Sequence, residues 1–291
     1  MIDAHTHFFP PEAGKSPEAW AAQRGESLWA IVAGKRPDGK KSLQGFPTIE
    51  KFLSDMDDAG VERAVIQGWY WQNHSTCLEQ NAHIARIIEK YPDRLSAFAS
   101  IQPADPRAVD IARSAAKMGF CGLGELHDGV QKFSPEGETF AEIAEIAASK
   151  KLAICFHITE PAARQYLGKV PTDTRAAIEC ARKNPQTNFI FAHWCGNAFF
   201  ETPEIFKGME NAFFDSAASR FTAPKNAFEL AEKSPAAGRA IYGSDYPLIL
   251  YPKLFDREEM KTALGDARKR VSENFAKNLF TKNFYKAIKI S

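Results

Sequence analysis

The stretch Ile2-Asp3-Ala4-His5-Thr6-His7-Phe8-Phe9-Pro10-Pro11 sets how the rest of the chain is read. It opens as a short strand-like run. It continues into two phenylalanines and two prolines, where a dinucleotide-binding open sheet would need a glycine-rich phosphate turn. Seven further apolar or β-branched runs follow at 64–69, 95–101, 120–127, 152–158, 188–194, 212–218 and 240–246. Several are apolar almost throughout, as strands of a parallel sheet buried on both faces should be. Amphipathic stretches separate them. Ile49, Phe52, Leu53 and Met56 recur at helical spacing behind Thr48 as N-cap, with Gly60 as terminator. Pro106 is expected to open a helix that ends before Gly119, and Phe140, Ile143, Ala144 and Ala147 mark another. Eight such units in 291 residues predict an α/β (β/α)8 TIM barrel over residues 1–291.

Residues 8–47 do not fit the repeat. They are rich in Gly, Pro and Lys and read as one long insertion loop after strand 1, lying over the active-site mouth. Composition narrows the function classes. With 37 basic and 36 acidic residues the net charge is +1, so no electrostatic footprint for nucleic acid or an anionic membrane is expected. No apolar run approaches the ~20 residues that span a bilayer, and the N-terminal residues lack the pattern of a secretory signal. The five cysteines contain no Cys-x-x-Cys pair, which disfavours zinc-finger and thioredoxin readings; reduced thiols in a cytoplasmic protein are expected.

The polar residues gather at the C-terminal ends of the expected strands, where barrel enzymes place their catalytic groups. Five of the seven histidines lie there: His5, His7, His127, His157 and His193. The period of 2 puts His5 and His7 on one side of strand 1, and Glu125 and His127 on one side of strand 4. Asp245 ends strand 8. Each has an ordinary structural alternative: a core histidine for His157 or His193, a turn cap for Asp245, an ion-pair partner for Glu125. Together, several imidazoles and a carboxylate make a ligand set for a divalent cation, zinc first, with manganese or iron as alternatives.

These motifs resemble the amidohydrolase superfamily, and within it the branch that includes aminocarboxymuconate-semialdehyde decarboxylase. The resemblance rests on Asp3-Ala4-His5-Thr6-His7, Phe156-His157-Ile158, Ala192-His193-Trp194 and Gly243-Ser244-Asp245-Tyr246-Pro247, with weaker support around Tyr91–Arg94, Gly119–His127 and Glu273–Ala276. It implies that His5, His7, His157 and Asp245 hold one metal ion. It makes His193 an acid/base group or a ligand to a second ion. Relatives with two ions often carry a strand-4 lysine, which is missing here, so one ion is favoured; Glu125 leaves a bridged pair open. The resemblance also suggests a homodimer.

The expected function is metal-dependent hydrolysis of a small-molecule C–N, C–O or lactone bond. Asp245 would take a proton from metal-activated water and His193 would assist. The alternative is non-oxidative decarboxylation of an aromatic or unsaturated acid, with His193 managing the proton. A catalytically silent binding barrel is a third possibility. Trp69 and Trp71, with His127, are candidates to wall a pocket for a flat substrate, or else to pack under the first loop. Arg220 is a candidate carboxylate anchor, and Arg164 a weaker one.

Overall fold

The computed structural model describes residues 1–36, 38–161 and 165–288. Its centre is an eight-stranded parallel sheet in the order β1 to β8. The strands are Ile2–Thr6, Arg63–Ile66, Leu95–Ala99, Gly122–Leu126, Ala153–Phe156, Phe189–Phe191, Ala212–Asp215 and Ala240–Ile241. β8 returns to β1 through the Ala4 amide, which donates to the Tyr242 carbonyl at 2.9 Å, and a Thr6–Tyr246 bridge. The (β/α)8 expectation therefore holds. The strands are shorter than the apolar runs because the last residues of each run leave the ladder to carry the site.

Alternation sorts the strand residues into two cores. Val65, Phe98, Cys155, Ile190, Phe213 and Ile241 belong to one buried cluster. Their neighbours, such as Ala64, Ile66, Ile154, Phe156, Phe189 and Phe214, pack outward with helix residues including Phe52, Met56, Ile84 and Phe140. Residues two further along the first register are His157, just past the end of β5, and Asp215, the last residue of β7. The parity that fills the barrel thus also aims the functional side chains.

The helix signals are accurate where a side chain enforces them. Thr48 accepts from the Lys51 amide, and Gly60 ends the helix Ile49–Ala59 at φ 71°. The helix expected from Pro106 starts later, at Ala108. Asp105 accepts from the Arg107 amide at 2.9 Å and holds the preceding residues as a turn.

The expected loop is partly helical: residues 11–33 form three short helices, α1 (Pro11–Lys15), α2 (Pro17–Arg24) and α3 (Ser27–Ala33), and residues 34–36 and 38–47 are irregular. Pro11 and Pro17 sit in first turns, where a missing amide costs nothing, and Gly25 closes α2 at φ 70°. An aromatic core holds them to the barrel. Trp29 packs on Phe9 at 4.5 Å, Trp71 at 5.1 Å and Trp69 at 5.4 Å, and Trp20 packs on Trp71 at 5.1 Å. Among the described residues no helix is long and apolar enough to cross a membrane. Trp29→Ala should cost ~3–5 kcal/mol of stability, read as a lowered urea midpoint; an unchanged midpoint would show that this layer does not stabilise the barrel.

Candidate metal centre

At the C-terminal end of β1 the two imidazoles converge, with His5 Nε2 and His7 Nε2 3.3 Å apart. Both side chains are buried. His5 Nδ1 donates to Asp215 Oδ2 at 2.8 Å, which orients the ring and turns Nε2 toward the other donors. Facing that nitrogen are Glu125 Oε2 at 3.8 Å and Asp245 Oδ1 at 3.9 Å. His7 Nε2 lies 3.7 Å from Glu125 Oε2 and 3.3 Å from Asp245 Oδ1.

The other oxygen of Glu125 faces a second pair. His157 Nδ1 is 2.9 Å from Oε1, and His193 Nε2 is 3.7 Å from the same oxygen and 3.2 Å from His157 Nδ1. His193 Nδ1 donates to the Ala217 carbonyl at 3.0 Å, so its Nε2 is also free to act as a ligand. Two groups of donors, His5–His7–Glu125 and Glu125–His157–His193, share one carboxylate, and His5 also converges with Cys155 and Asp215 in a third.

This donor set fits a divalent cation. It concentrates groups that ligate a cation once deprotonated: four imidazoles and three carboxylates, Glu125, Asp215 and Asp245. Among the described residues no Lys or Arg pairs with any of those three. Buried anions require compensating charge. The proton affinities point the same way. Burial opposes a charge on His5, yet Asp215, Glu125 and Asp245 lift its pKa to about 10. Burial would raise Asp245, but a hydrogen bond from His7 and the charges of His5, His7 and His193 hold it at about 2. Glu125 is likewise held well below the usual carboxylate range against its burial, chiefly by His157 and His5.

His193 reaches the centre by an unusual route. His193, Trp194, Cys195, Gly196 and Asn197 all have positive φ, from 54° to 73°, forming one left-handed turn. Such backbone costs ~1–2 kcal/mol for each non-glycine residue. It is held by the His193 amide donating to Asp215 Oδ1 at 3.2 Å and by Trp194 Nε1 donating to Ser219 Oγ at 2.7 Å. Asp245 also has positive φ, and the next residue, Tyr246, is anchored by its hydroxyl on Asp55 at 2.8 Å.

Among the substrate candidates, His127 stacks on His157 at 4.9 Å, and Tyr70 stands against both rings at 5.1 Å each. Burial, with the charge of His157 next, lowers the His127 pKa to about 2, so its ring is neutral. Its Nδ1 has no hydrogen-bond partner. Trp69 supports the centre from the side, stacked on Tyr70 at 4.2 Å and edge-on to His7 at 5.4 Å. Trp71 is no pocket wall: it is buried in the aromatic core of the three helices, with its indole N–H donating to Gln80. Arg220 is not placed as an anchor beside the donors. It is exposed, lies over the Tyr251 ring at 5.2 Å, and lines a separate cavity. Arg164 lies outside the described residues.

Asp215 was not anticipated as a functional residue. The signal was present, an acid closing the apolar run Ala212-Phe213-Phe214, the same pattern that singled out Asp245.

A family model described as amidohydrolase matches residues 2–283. The chain belongs to the amidohydrolase family. No curated protein matches it. Among solved structures, this amidohydrolase barrel is similar to 5-carboxyvanillate decarboxylase from Novosphingobium aromaticivorans, complexed with manganese and 4-hydroxy-3-methoxy-5-nitrobenzoic acid (TM-score 0.72, 15% identity, 99% of this chain and 96% of that one). It is similar to 2,6-dihydroxybenzoate decarboxylase from Rhizobium (0.68, 15%, 99% and 98%). A third similar structure is a probable 2-pyrone-4,6-dicarboxylic acid hydrolase from Acinetobacter baumannii with citric acid bound (0.65, 14%, 99% and 99%).

Asp215→Asn should weaken divalent-metal affinity ~10–100-fold, measured by competition with a chelating dye. Affinity equal to wild type would remove Asp215 as the group that orients His5.

Proposed function

We propose that this amidohydrolase is a metal-dependent, non-oxidative decarboxylase of a small aromatic carboxylic acid. The observation that carries the reading is the cluster of flat rings beside the donors, where Tyr70 packs against the stacked His127 and His157. Such rings next to the donors suit a planar substrate. The similarity to barrels that decarboxylate ring-bearing acids, with manganese bound in one, supports the same class. His5, His7, Asp245 and Glu125 would hold the ion, with His157 beside them. When bound, it supplies Lewis-acid polarisation of a substrate oxygen.

Loss of CO2 breaks the bond between ring carbon and carboxylate, leaves the electron pair on that carbon, and requires one proton there. We assign that delivery to His193 in its imidazolium form: its Nδ1 proton is committed to Ala217, and the proton that would move is a second one on Nε2, which faces the centre. His127, neutral and with an unpartnered Nδ1, is suited to orient a ring substituent.

A second reading, hydrolysis by metal-activated water, is favoured by one feature. Each oxygen of Glu125 faces its own imidazole pair, an arrangement for two bridged ions rather than the single ion expected from the missing lysine. Ion count and product separate the two readings. Inductively coupled plasma mass spectrometry of protein purified without chelator should give about one divalent ion per chain. With manganese or zinc present, hydroxylated benzoates should yield CO2 and the parent phenol. Two ions, with ring opening of a pyrone and no CO2, would replace the first reading by the second; no ion and no turnover would leave a silent barrel. His193→Asn should lower turnover ~10²–10⁴-fold, and full activity in that variant would remove it as the proton donor.

A further inference from the structure

Behind β7 and β8 a cavity of about 140 Å³ opens between the loops that leave the two strands and the helix Lys261–Arg268. None of the metal donors lines it. Its lining includes Tyr242, which packs outward from the end of β8 against Phe280 at 5.0 Å. Tyr242 is 2% exposed, and its hydroxyl has no hydrogen-bond partner. Leaving a buried polar group in that state is unfavourable, so it marks a place where a polar ligand atom would complete the structure. Burial, followed by the nearby Asp3 and Tyr251, pushes this phenol well above its usual pKa, so it is a hydrogen-bond donor at neutral pH.

The charge around the cavity is one-sided. Arg220, Lys225 and Arg270 line it against a single acid, Asp266, which already accepts from the Tyr251 hydroxyl at 2.5 Å. Arg270 is committed to the Lys225 carbonyl and Glu229. Arg220 is steadied over the Tyr251 ring, and no carboxylate pairs with it or with Lys225 among the described residues. The loops after strands 7 and 8 are also where (β/α)8 barrels frequently seat a phosphate. At roughly 30 Å³ per water, the space suits an ion of a few heavy atoms with residual hydration.

We infer that this cavity is a binding site for a small oxyanion, a phosphate or a carboxylate, neutralised by Arg220 and Lys225 and bonded by the Tyr242 hydroxyl. The site is independent of the proposed reaction. It adjoins the metal centre through sequence: Ser216 and Ser244, which line it, directly follow Asp215 and precede Asp245.

The test is isothermal titration of the metal-loaded full chain with inorganic phosphate and, separately, with acetate. Saturable binding of at least one of them is expected, with phosphate alone indicating a phosphoryl ligand and acetate alone a carboxylate. Arg220→Gln and Lys225→Gln, both at exposed positions where folding is not at stake, should each weaken it about tenfold. Tyr242→Phe, checked for an unchanged melting temperature, should weaken it several-fold. His157→Ala should leave it intact. Absence of saturable binding would overturn the site. So would binding that survives Arg220→Gln and disappears in His157→Ala, because the anion would then be on the metal.

Discussion

Acceptors outnumber donors at the C-terminal mouth of the barrel, and that imbalance constrains everything around it. Three carboxylates and four imidazoles are drawn into a nearly dry space, and among the described residues no lysine or arginine pairs with the carboxylates. A bound cation would balance these carboxylates and free the imidazoles from carrying the compensating charge. Asp215 orders the set, because one of its oxygens fixes the ring of His5 and the other holds the backbone of His193.

Much of this was legible in the sequence because a strand's period of 2 is rigid. His5 and His7 share a face by that rule alone, and His157 and Asp245 end runs whose burial fixes their direction. The apolar runs also located all eight strands. Strand ends were less legible. The runs at 188–194 and 240–246 continue into residues whose backbone turns left-handed, and hydrophobicity carries no trace of φ. His193 therefore enters the site from a turn and not from the strand expected to hold it.

The residues misjudged are those whose meaning depends on contacts distant in sequence. Trp69 and Trp71 are two positions apart and look alike, yet one flanks His7 and the other fills the core beneath α2 and α3. Residues 8–47 looked irregular because their helices are short and proline-started, with tryptophans widely spaced. Only the packing of Trp20 and Trp29 on the Trp69–Trp71 segment turns them into a layer. Asp215 escaped notice because its value lies in the histidine it orients.

The shared carboxylate of Glu125 has a consequence for how the protein would evolve. With one oxygen toward His5 and His7 and the other toward His157 and His193, neither imidazole pair can drift independently. A substitution that retunes one pair shifts the charge felt by the other through the same two C–O bonds. Changes of metal preference in this lineage would then be expected as coordinated replacements across β1, β5 and the turn after β6, with single substitutions selected against.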